Sequence, residues 1–466
     1  MTASRGAETE RRSGKKEADP SYRSASHRDR DRVLYSEAFR RLGGVTQVAL
    51  GRPELVLHNR LTHSLKVEQV GLSIHSKLSA TADLTDRADL HAIAAACLAH
   101  DIGHPPFGHA GEQELDAILT CEEHRRSPRP YSARTGSPCT NEHPCLLEDG
   151  FEGNAQTFRV LTLLSTHRDV DSLFGLDLTY GTLRATTKYP WLRGENPEKT
   201  GKWGAYDCDA EVLWAATGQD GAAPFKDQEI GKSLDAQIMD WADDISYAVH
   251  DIEDFFRSKH IPLADYTPDS KNLTDFLSYA AKAVGELTGD ELDALHDLLA
   301  YLPRSTYQGS AEDHANLDRA RSTMLTQFIN AATLEDGALQ RDQVAKRLNS
   351  IVKQLIWFHV IDAPDLANIQ TGQRRVLREI FDILCPQAMD AYRVAAGDAP
   401  DEQLQRRLPT GLRRAIDIGL KQSAPAWYSR QKRVYRGLVD YIASLSDEDA
   451  YRHHAVLKGR PGAGQL

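Results

Sequence analysis

Residues 88–112 read ADLHAIAAACLAHDIGHPPFGHAGE, and this stretch decides the fold. Its first half is apolar nearly all round, the pattern of a helix buried on every side. The spacing predicts that helix over 88–101, stopped by Gly103 with Pro105 and Pro106 behind it. A second helix is expected over 109–119. Working outward, 61–79 places Leu61, Leu65, Leu72 and Leu78 near one stripe, and 234–258 carries Ile238, Trp241, Ile245, Val249, Ile252 and Phe256 at helical spacing. Beyond about 270, amphipathic patterns return in NLTDFLSYAAKAVGELTG, DQVAKRLNSIVKQLIWF and RRVLREIFDIL, with turns expected near Pro303, Gly309, Pro364 and Pro386. Period-2 runs are scarce. The class is all-α, a helical bundle core with additional C-terminal helices.

The chain has 466 residues, 41% hydrophobic and 26% charged, which is globular composition and excludes collagen-like, low-complexity and disulfide-scaffold classes. Residues 1–30 are rich in charge, Ser, Gly and Ala with no periodic apolar positions, and read as a disordered tail. The expected division is then a core over 31–265 and a helical region over 266–466 packed on it, with its amphipathic faces available for assembly. No apolar run is long enough to span a bilayer and the opening residues have no apolar block, so the expectation is a cytoplasmic protein with no membrane contact. Its six cysteines are then thiols. A formal charge of −11 argues against coating nucleic acid or an anionic membrane through the overall field. Against that background, Arg40, Arg41, Arg52 and Arg60 form a basic island, read first as a solvated helix face.

The chemistry begins where the central helix ends in His100-Asp101. An imidazole and a carboxylate delivered by a buried helix are costly unless compensated, and a divalent cation compensates both. His63 on the preceding helix and Asp243 on the long later helix supply a third and a fourth ligand. Two imidazoles and two carboxylates suit Mn²⁺, Fe²⁺, Co²⁺ or Zn²⁺ and can hold Mg²⁺. Asp243, Tyr247 and Asp251 repeat at i, i+4, i+8 and share one helix face, from which Asp244 lies about 100° away. His109 and Glu112, at i, i+3 beyond the proline break, form a carboxylate-oriented imidazole able to move a proton.

The order His…His-Asp…Asp resembles the HD phosphohydrolase superfamily. The blocks FRRLGGVTQV from Phe39, NRLTHS from Asn59, HDIGHPPFGH from His100, FEGNAQ from Phe151, KYPW from Lys188 and ADDISY from Ala242 narrow the resemblance to bacterial dGTP triphosphohydrolases. These matches span about residues 28–260, with a weaker echo at GQRRVLREIF from Gly372. The resemblance implies metal-dependent hydrolysis of dGTP or other dNTPs at the α-phosphorus, giving the deoxynucleoside and inorganic triphosphate. It gives His109 and Glu112 the proton-transfer role. It implies that Arg60, Lys188 and Lys202 meet phosphates, that Gln47 approaches base or sugar, that Asn154 lies near the phosphates, and that Tyr247 and Asp251 meet the sugar. Relatives form homo-oligomers, often hexamers, and some respond to a second, allosteric nucleotide or to single-stranded DNA. The alternatives are another HD hydrolase acting on nucleoside monophosphates, cyclic nucleotides or alarmones, and a non-catalytic HD regulator that binds nucleotides or single-stranded DNA.

The segment 121–150 has no counterpart in that resemblance. Dense in Pro, Ser and Gly, it reads as a partner- or substrate-facing loop, and its Cys121, His124, Cys139, His143 and Cys145 are spaced loosely enough for a structural zinc although the irregular spacing departs from zinc ribbons.

Overall fold

The computed structural model describes residues 9–15, 22–47, 58–85, 87–168, 172–218, 231–267, 270–303, 306–395 and 399–460. Twenty α-helices, five short 3-10 or π segments and one two-stranded hairpin make up the regular structure of these residues, so the protein is all-α. None of these helices is long and apolar enough to cross a membrane.

Five helices frame the site: α1 (Ala25–Leu34), α2 (Glu37–Arg41), α3 (Arg60–Ser79), α4 (Leu90–Ala99) and α5 (His109–Leu119). Asn59 caps α3 and Thr62 bonds back to it, closing a reciprocal box that fixes where His63 begins its turn. Asp89 caps α4, whose residues Ala92 to Ala99 are all buried. Such small side chains let neighbours approach closely. A Cβ on Gly71 of α3 would sit 2.7 Å from the Cys97 sulfur of α4. Two short helices follow, α6 (Glu122–Arg126) and α7 (Tyr131–Gly136), within the segment expected to be irregular. Then come α8 (Gly153–Arg159), α9 (Tyr180–Thr186), α10 (Ala210–Thr217) and the long α11 (Leu234–Arg257).

The C-terminal half divides between two apolar cores. Helices α12 (Lys271–Val284), α13 (Gly289–Tyr301), α14 (Ala311–Asn330) and α15 (Gln343–Ile356) join α3, α4 and α11 in one, with Ile74, Trp241, Ile245, Phe328, Ile351 and Leu355 fully enclosed. Helices α16 (Pro364–Ala391), α17 (Glu402–Gln405), α18 (Thr410–Lys421), α19 (Arg430–Ala443) and α20 (Asp447–Leu457) complete the order. Most of them pack with α5 around Leu115, Phe151, Trp203, Leu377, Ile380 and Leu438. Truncating one such enclosed Leu or Ile to Ala removes about 2–5 kcal/mol.

Several local expectations change. Residues 25–30, read as tail, are the first turns of α1, because Ser24 caps it and Asp29 is buried against Thr179 (2.8 Å) and Arg11 (2.6 Å). Residues 1–8 and 16–21 of the expected tail, and Arg52 of the basic island, lie outside the described residues. The rest of that island is only partly a solvated face. Arg41 turns inward to donate to the carbonyls of Ile102 (2.7 Å) and His104 (2.8 Å), and Arg60 is buried. No turn forms at Pro386. Helix α16 runs through it because Leu384, Ala388 and Ala391 on either side are buried in the second core, outweighing one lost backbone bond. Between α14 and α15 a hairpin pairs Ala332–Glu335 with Ala338–Arg341. Asp336 and Gly337 take positive φ of 50° and 82°, the Asp-Gly hairpin turn that the helical reading passed over.

Candidate active site

The break after α4 is what opens the site. Gly103 lies against α8 so closely that a Cβ there would meet the Thr157 backbone nitrogen at 2.0 Å, and only glycine fits. Thr157 ties the two segments, accepting from Gly103 N–H (2.9 Å) and donating to the His100 carbonyl (3.1 Å). Phe107 holds a φ of +66°, unfavourable for a bulky residue. It is retained because its N–H donates to Asp447 of α20 (2.8 Å) and its ring packs on Tyr451, centroids 4.9 Å apart. This strained corner turns His109 into the first residue of α5.

The four expected ligands converge. His63, His100 and Asp101 bring ligand atoms within 4.8 Å of one another. Asp243 Oδ1 lies 3.1 Å from His63 Nε2 and 3.4 Å from His100 Nε2. The Nδ1–H of His100 donates to the Cys97 carbonyl at 2.7 Å, because a carbonyl can only accept. That fixes the ring and turns Nε2 inward, where it is buried without a hydrogen-bond partner. An orphaned imidazole nitrogen between two carboxylates is the donor set a divalent cation satisfies, so these residues fit one. Burial lowers the His100 pKa, yet Asp101 and Asp243 outweigh it and push the group up to about 9. Proton and cation compete for that nitrogen. For Asp101, burial acts upward, but Arg60 and His100 hold it well below the usual carboxylate range.

Asp101, Asp243 and Glu112 also carry cations. Arg60 Nη1 donates to Asp101 Oδ2 at 2.6 Å, and its Nε reaches the Thr46 carbonyl at 3.2 Å. Lys188 lies 2.8 Å from both Asp243 and Asp240. Lys202 lies 2.8 Å from Glu152 and 3.2 Å from Glu112. Asp244 faces away from this centre and pairs with Lys353.

A second group adjoins the first. His109 Nδ1 meets Glu112 Oε2 at 2.9 Å while its side chain stays 61% exposed. Glu112 is buried, and its other oxygen accepts from the Gly153 N–H at 3.0 Å. Burial would raise the Glu112 pKa, but Lys202 and the His109 contact hold it well below its ordinary value. His104 joins the groups, with Nδ1 3.0 Å from Asp101 and its ring 5.7 Å from that of His109. Among the remaining expected residues, Asn154 donates to Glu152 (2.9 Å) and Tyr247 lies beside the Lys353 ammonium (5.6 Å). Gln47 sends its carbonyl toward Arg60 (3.5 Å) and leaves its side-chain oxygen without a partner. Asp251 is buried with an unpartnered Oδ2, and burial, then Asp254 and Asp243, raise it well above the carboxylate range.

Comparisons with known proteins give the family. The HD domain family profile matches residues 60–134. A deoxyguanosinetriphosphate triphosphohydrolase-like protein of Streptomyces coelicolor is 33% identical, over 94% of this chain and 94% of its own. The chain belongs to the deoxyguanosinetriphosphate triphosphohydrolase-like family. Proteins of the same description from Corynebacterium glutamicum (31% identical, 91% of this chain and 93% of theirs) and Shewanella sediminis (28%, 96% and 94%) also match. It is therefore a metal-dependent phosphohydrolase of the HD superfamily.

Within this family member, the matched domain encloses His63, His100, Asp101, His109 and Glu112, while Asp243 comes from α11, far outside it. Sequence reasoning missed Asp240 and Glu152, the carboxylates that hold Lys188 and Lys202. Asp240 had a signal, since it stands one helical turn before Asp243 on α11. Glu152 lay inside a quoted motif, and nothing local marked it as the partner of a lysine fifty residues on.

Proposed function

We propose that the protein hydrolyses deoxynucleoside triphosphates, dGTP or other dNTPs, at the α-phosphorus, releasing the deoxynucleoside and inorganic triphosphate. The observation that carries this reading is the adjacency of the two groups. The cation-binding set and the His109–Glu112 pair are joined through His104, so a proton carrier stands beside the place where a phosphate is held. His63, His100, Asp101 and Asp243 would hold the divalent ion, Mn²⁺ or Mg²⁺ in preference to Fe²⁺, Co²⁺ or Zn²⁺. When bound, that ion polarises a phosphate oxygen and positions water.

The residues of the chain do the rest. Glu112 retains the Nδ1–H of His109 and leaves Nε2 free to take a proton from the attacking water and return one to the departing 5′-oxygen. Water oxygen then ends on the triphosphate and the proton on the deoxynucleoside. A triphosphate approaching a chain of net charge −11 needs local cations, and Arg60, Lys188 and Lys202 supply them. Lys202, with 36% of its side chain exposed, has the room to exchange Glu152 for a phosphate oxygen. Asn154 lies beside it. Tyr247 and Asp251 stand one and two turns beyond Asp243, where a ring under the deoxyribose excludes a 2′-hydroxyl and a carboxyl kept protonated by burial donates to the sugar. Gln47 offers its free side-chain oxygen to base or sugar.

Product analysis tests the reading. Incubation of dGTP with the protein and Mn²⁺ or Mg²⁺ is expected to yield deoxyguanosine and triphosphate in equal amounts. Orthophosphate or pyrophosphate in place of triphosphate would reassign the protein to a different HD hydrolysis. Binding without turnover under every cation would make it a regulator.

A further inference from the structure

Outside the site already described, the largest concentration of metal-ligating atoms lies in the segment that follows α5. Cys121, His124, Cys139 and Cys145 bring three sulfurs and an imidazole nitrogen within 4.8 Å of one another. Cys121 ends the turn after α5, His124 is buried on α6, and Cys139 and Cys145 return on the irregular stretch beyond α7. His124 Nδ1 stands 3.3 Å from Cys145 Sγ. With Zn–S and Zn–N bonds of about 2.3 and 2.0 Å, the S–N and S–S edges of a tetrahedron are about 3.5 and 3.8 Å, so that edge is within a few tenths of an ångström of ligand spacing. The sulfurs are also supplied with donors. Cys121 N–H donates to Cys145 Sγ (3.2 Å), while His124 N–H (3.5 Å) and the Asn141 amide (3.0 Å) donate to Cys121 Sγ. N–H donors of this kind stabilise thiolate, the form that binds metal.

The apolar surroundings do little to order this segment. Leu119 before this segment and Leu147 after it belong to the second core, whereas between Cys121 and Cys145 only Tyr131 packs on an apolar cluster among the described residues. Polar ties hold the rest: Arg129 to Glu148 (2.9 Å), Cys139 N–H to Glu148 (3.0 Å) and Arg134 to Asp207 (2.5 Å). A segment with so little apolar burial gains its order from cross-links.

We propose that Cys121, His124 Nδ1, Cys139 and Cys145 form a structural Zn²⁺ site, distinct in metal class from the His/Asp cluster. Three sulfurs and one nitrogen select zinc over the oxygen-preferring Mn²⁺ and Mg²⁺. Four protein ligands close the coordination sphere, so the site has a structural rather than a catalytic part. Its effect reaches the active site through one short path. The cross-link fixes Glu148, and the chain continues from Glu148 to Glu152, which holds Lys202 at 2.8 Å. The irregular spacing arises because α7 fills the span between His124 and Cys139.

The test uses the full chain carrying Asp101→Asn and Asp243→Asn, which disables the other cluster, purified from zinc-supplemented cells. Elemental analysis is expected to find one zinc per chain. Cobalt substitution of that protein should give thiolate-to-cobalt charge-transfer absorption and intense tetrahedral ligand-field bands. Adding Cys139→Ser should remove both, and should lower the thermal midpoint. Absence of zinc with four reactive segment and surface thiols, a disulfide within the segment on non-reducing mass analysis, or zinc retained after Cys139→Ser would each overturn the proposal. If Cys139→Ser does not fold, the cobalt spectrum of the parent decides by itself, since among the described residues no other group of potential metal ligands contains a cysteine.

Discussion

The two ends of α8 sit in two different networks of buried charge. At its C-terminal end buried Arg159 is held by three side chains: Nε meets Asp440 at 2.8 Å, and Nη1 meets Asp209 at 3.0 Å and Gln422 at 2.9 Å. Those partners belong to α19 and to the turns before α10 and after α18, so the network welds distant segments together. At its N-terminal end Glu152 and Gly153 face Lys202 and Glu112, inside a network that is left open. His100 Nε2 and Asp251 Oδ2 lack a hydrogen-bond partner there, and each cation rests on a carboxylate with another role to fill. A closed network contributes fixed geometry. An open one keeps binding capacity in reserve, at a cost in stability that the closed one and the cores offset.

That contrast predicts opposite phenotypes at similar burial. Asp243→Asn should abolish turnover, exceeding the roughly 10–100-fold loss typical of removing an outer partner of a metal ligand. It should reduce bound cation in elemental analysis while leaving the cooperative unfolding transition in place. Wild-type turnover in that variant would remove Asp243 from the site. Asp440→Asn should do the reverse. Weakening one of the two carboxylates on buried Arg159 is expected to cost about 3 kcal/mol in denaturant unfolding, with cation content unchanged. A variant as stable as the parent would show that the weld is not one.

How much of this was legible follows from what a sequence can encode locally. The 88–101 helix, its proline stop and the His-Asp pair at its end are written in contiguous residues, and α4 with its break lies there. Asp243 was reachable because helical spacing places it, Tyr247 and Asp251 on one face. Pairings across long separations leave no such trace. Lys188 with Asp240, Lys202 with Glu152 and Arg60 with Asp101 are set by the meeting of helices, and two of those cations were read only as phosphate contacts. The cysteine segment was legible only as a loosely spaced group. Its spacing is set by α7, a helix too short to have a readable period.

Smaller effects sharpen the comparison further. His109→Ala should retain the cation yet lose about 10²-fold in kcat, because it removes a proton carrier and no ligand. Loss of cation instead would assign His109 to the metal set. In the first core, the Tyr266 hydroxyl meets His359 Nε2 at 2.6 Å, and burial lowers the His359 pKa to about 4. The unfolded chain takes up that proton near the ordinary value of about 6.5. The folded group resists it, so its share of stability is present above that pH and is lost as pH falls toward about 4. His359→Gln keeps a polar partner for Tyr266, and its thermal midpoint should fall less than the parent's between neutral and mildly acidic buffer. An equal fall in both would mean that His359 titrates normally.

The smallest effect is expected one residue from the largest. Asp244 stands beside Asp243 on α11, but the turn of the helix directs it to Lys353, in a pair with 34% and 21% of the two side chains exposed. Partly exposed pairs contribute about 0–1 kcal/mol, since solvent screens them and ordering two side chains costs entropy. Asp244→Asn should therefore change neither turnover nor cation content measurably, and should shift unfolding by less than about 1 kcal/mol. Adjacent carboxylates, equal in chemistry and only about 100° apart around one helix, would then differ by the whole of the activity. If Asp244→Asn were the inactive variant and Asp243→Asn the silent one, α11 would be rotated from the orientation described here. Tyr247 and Asp251 would leave the substrate side with it.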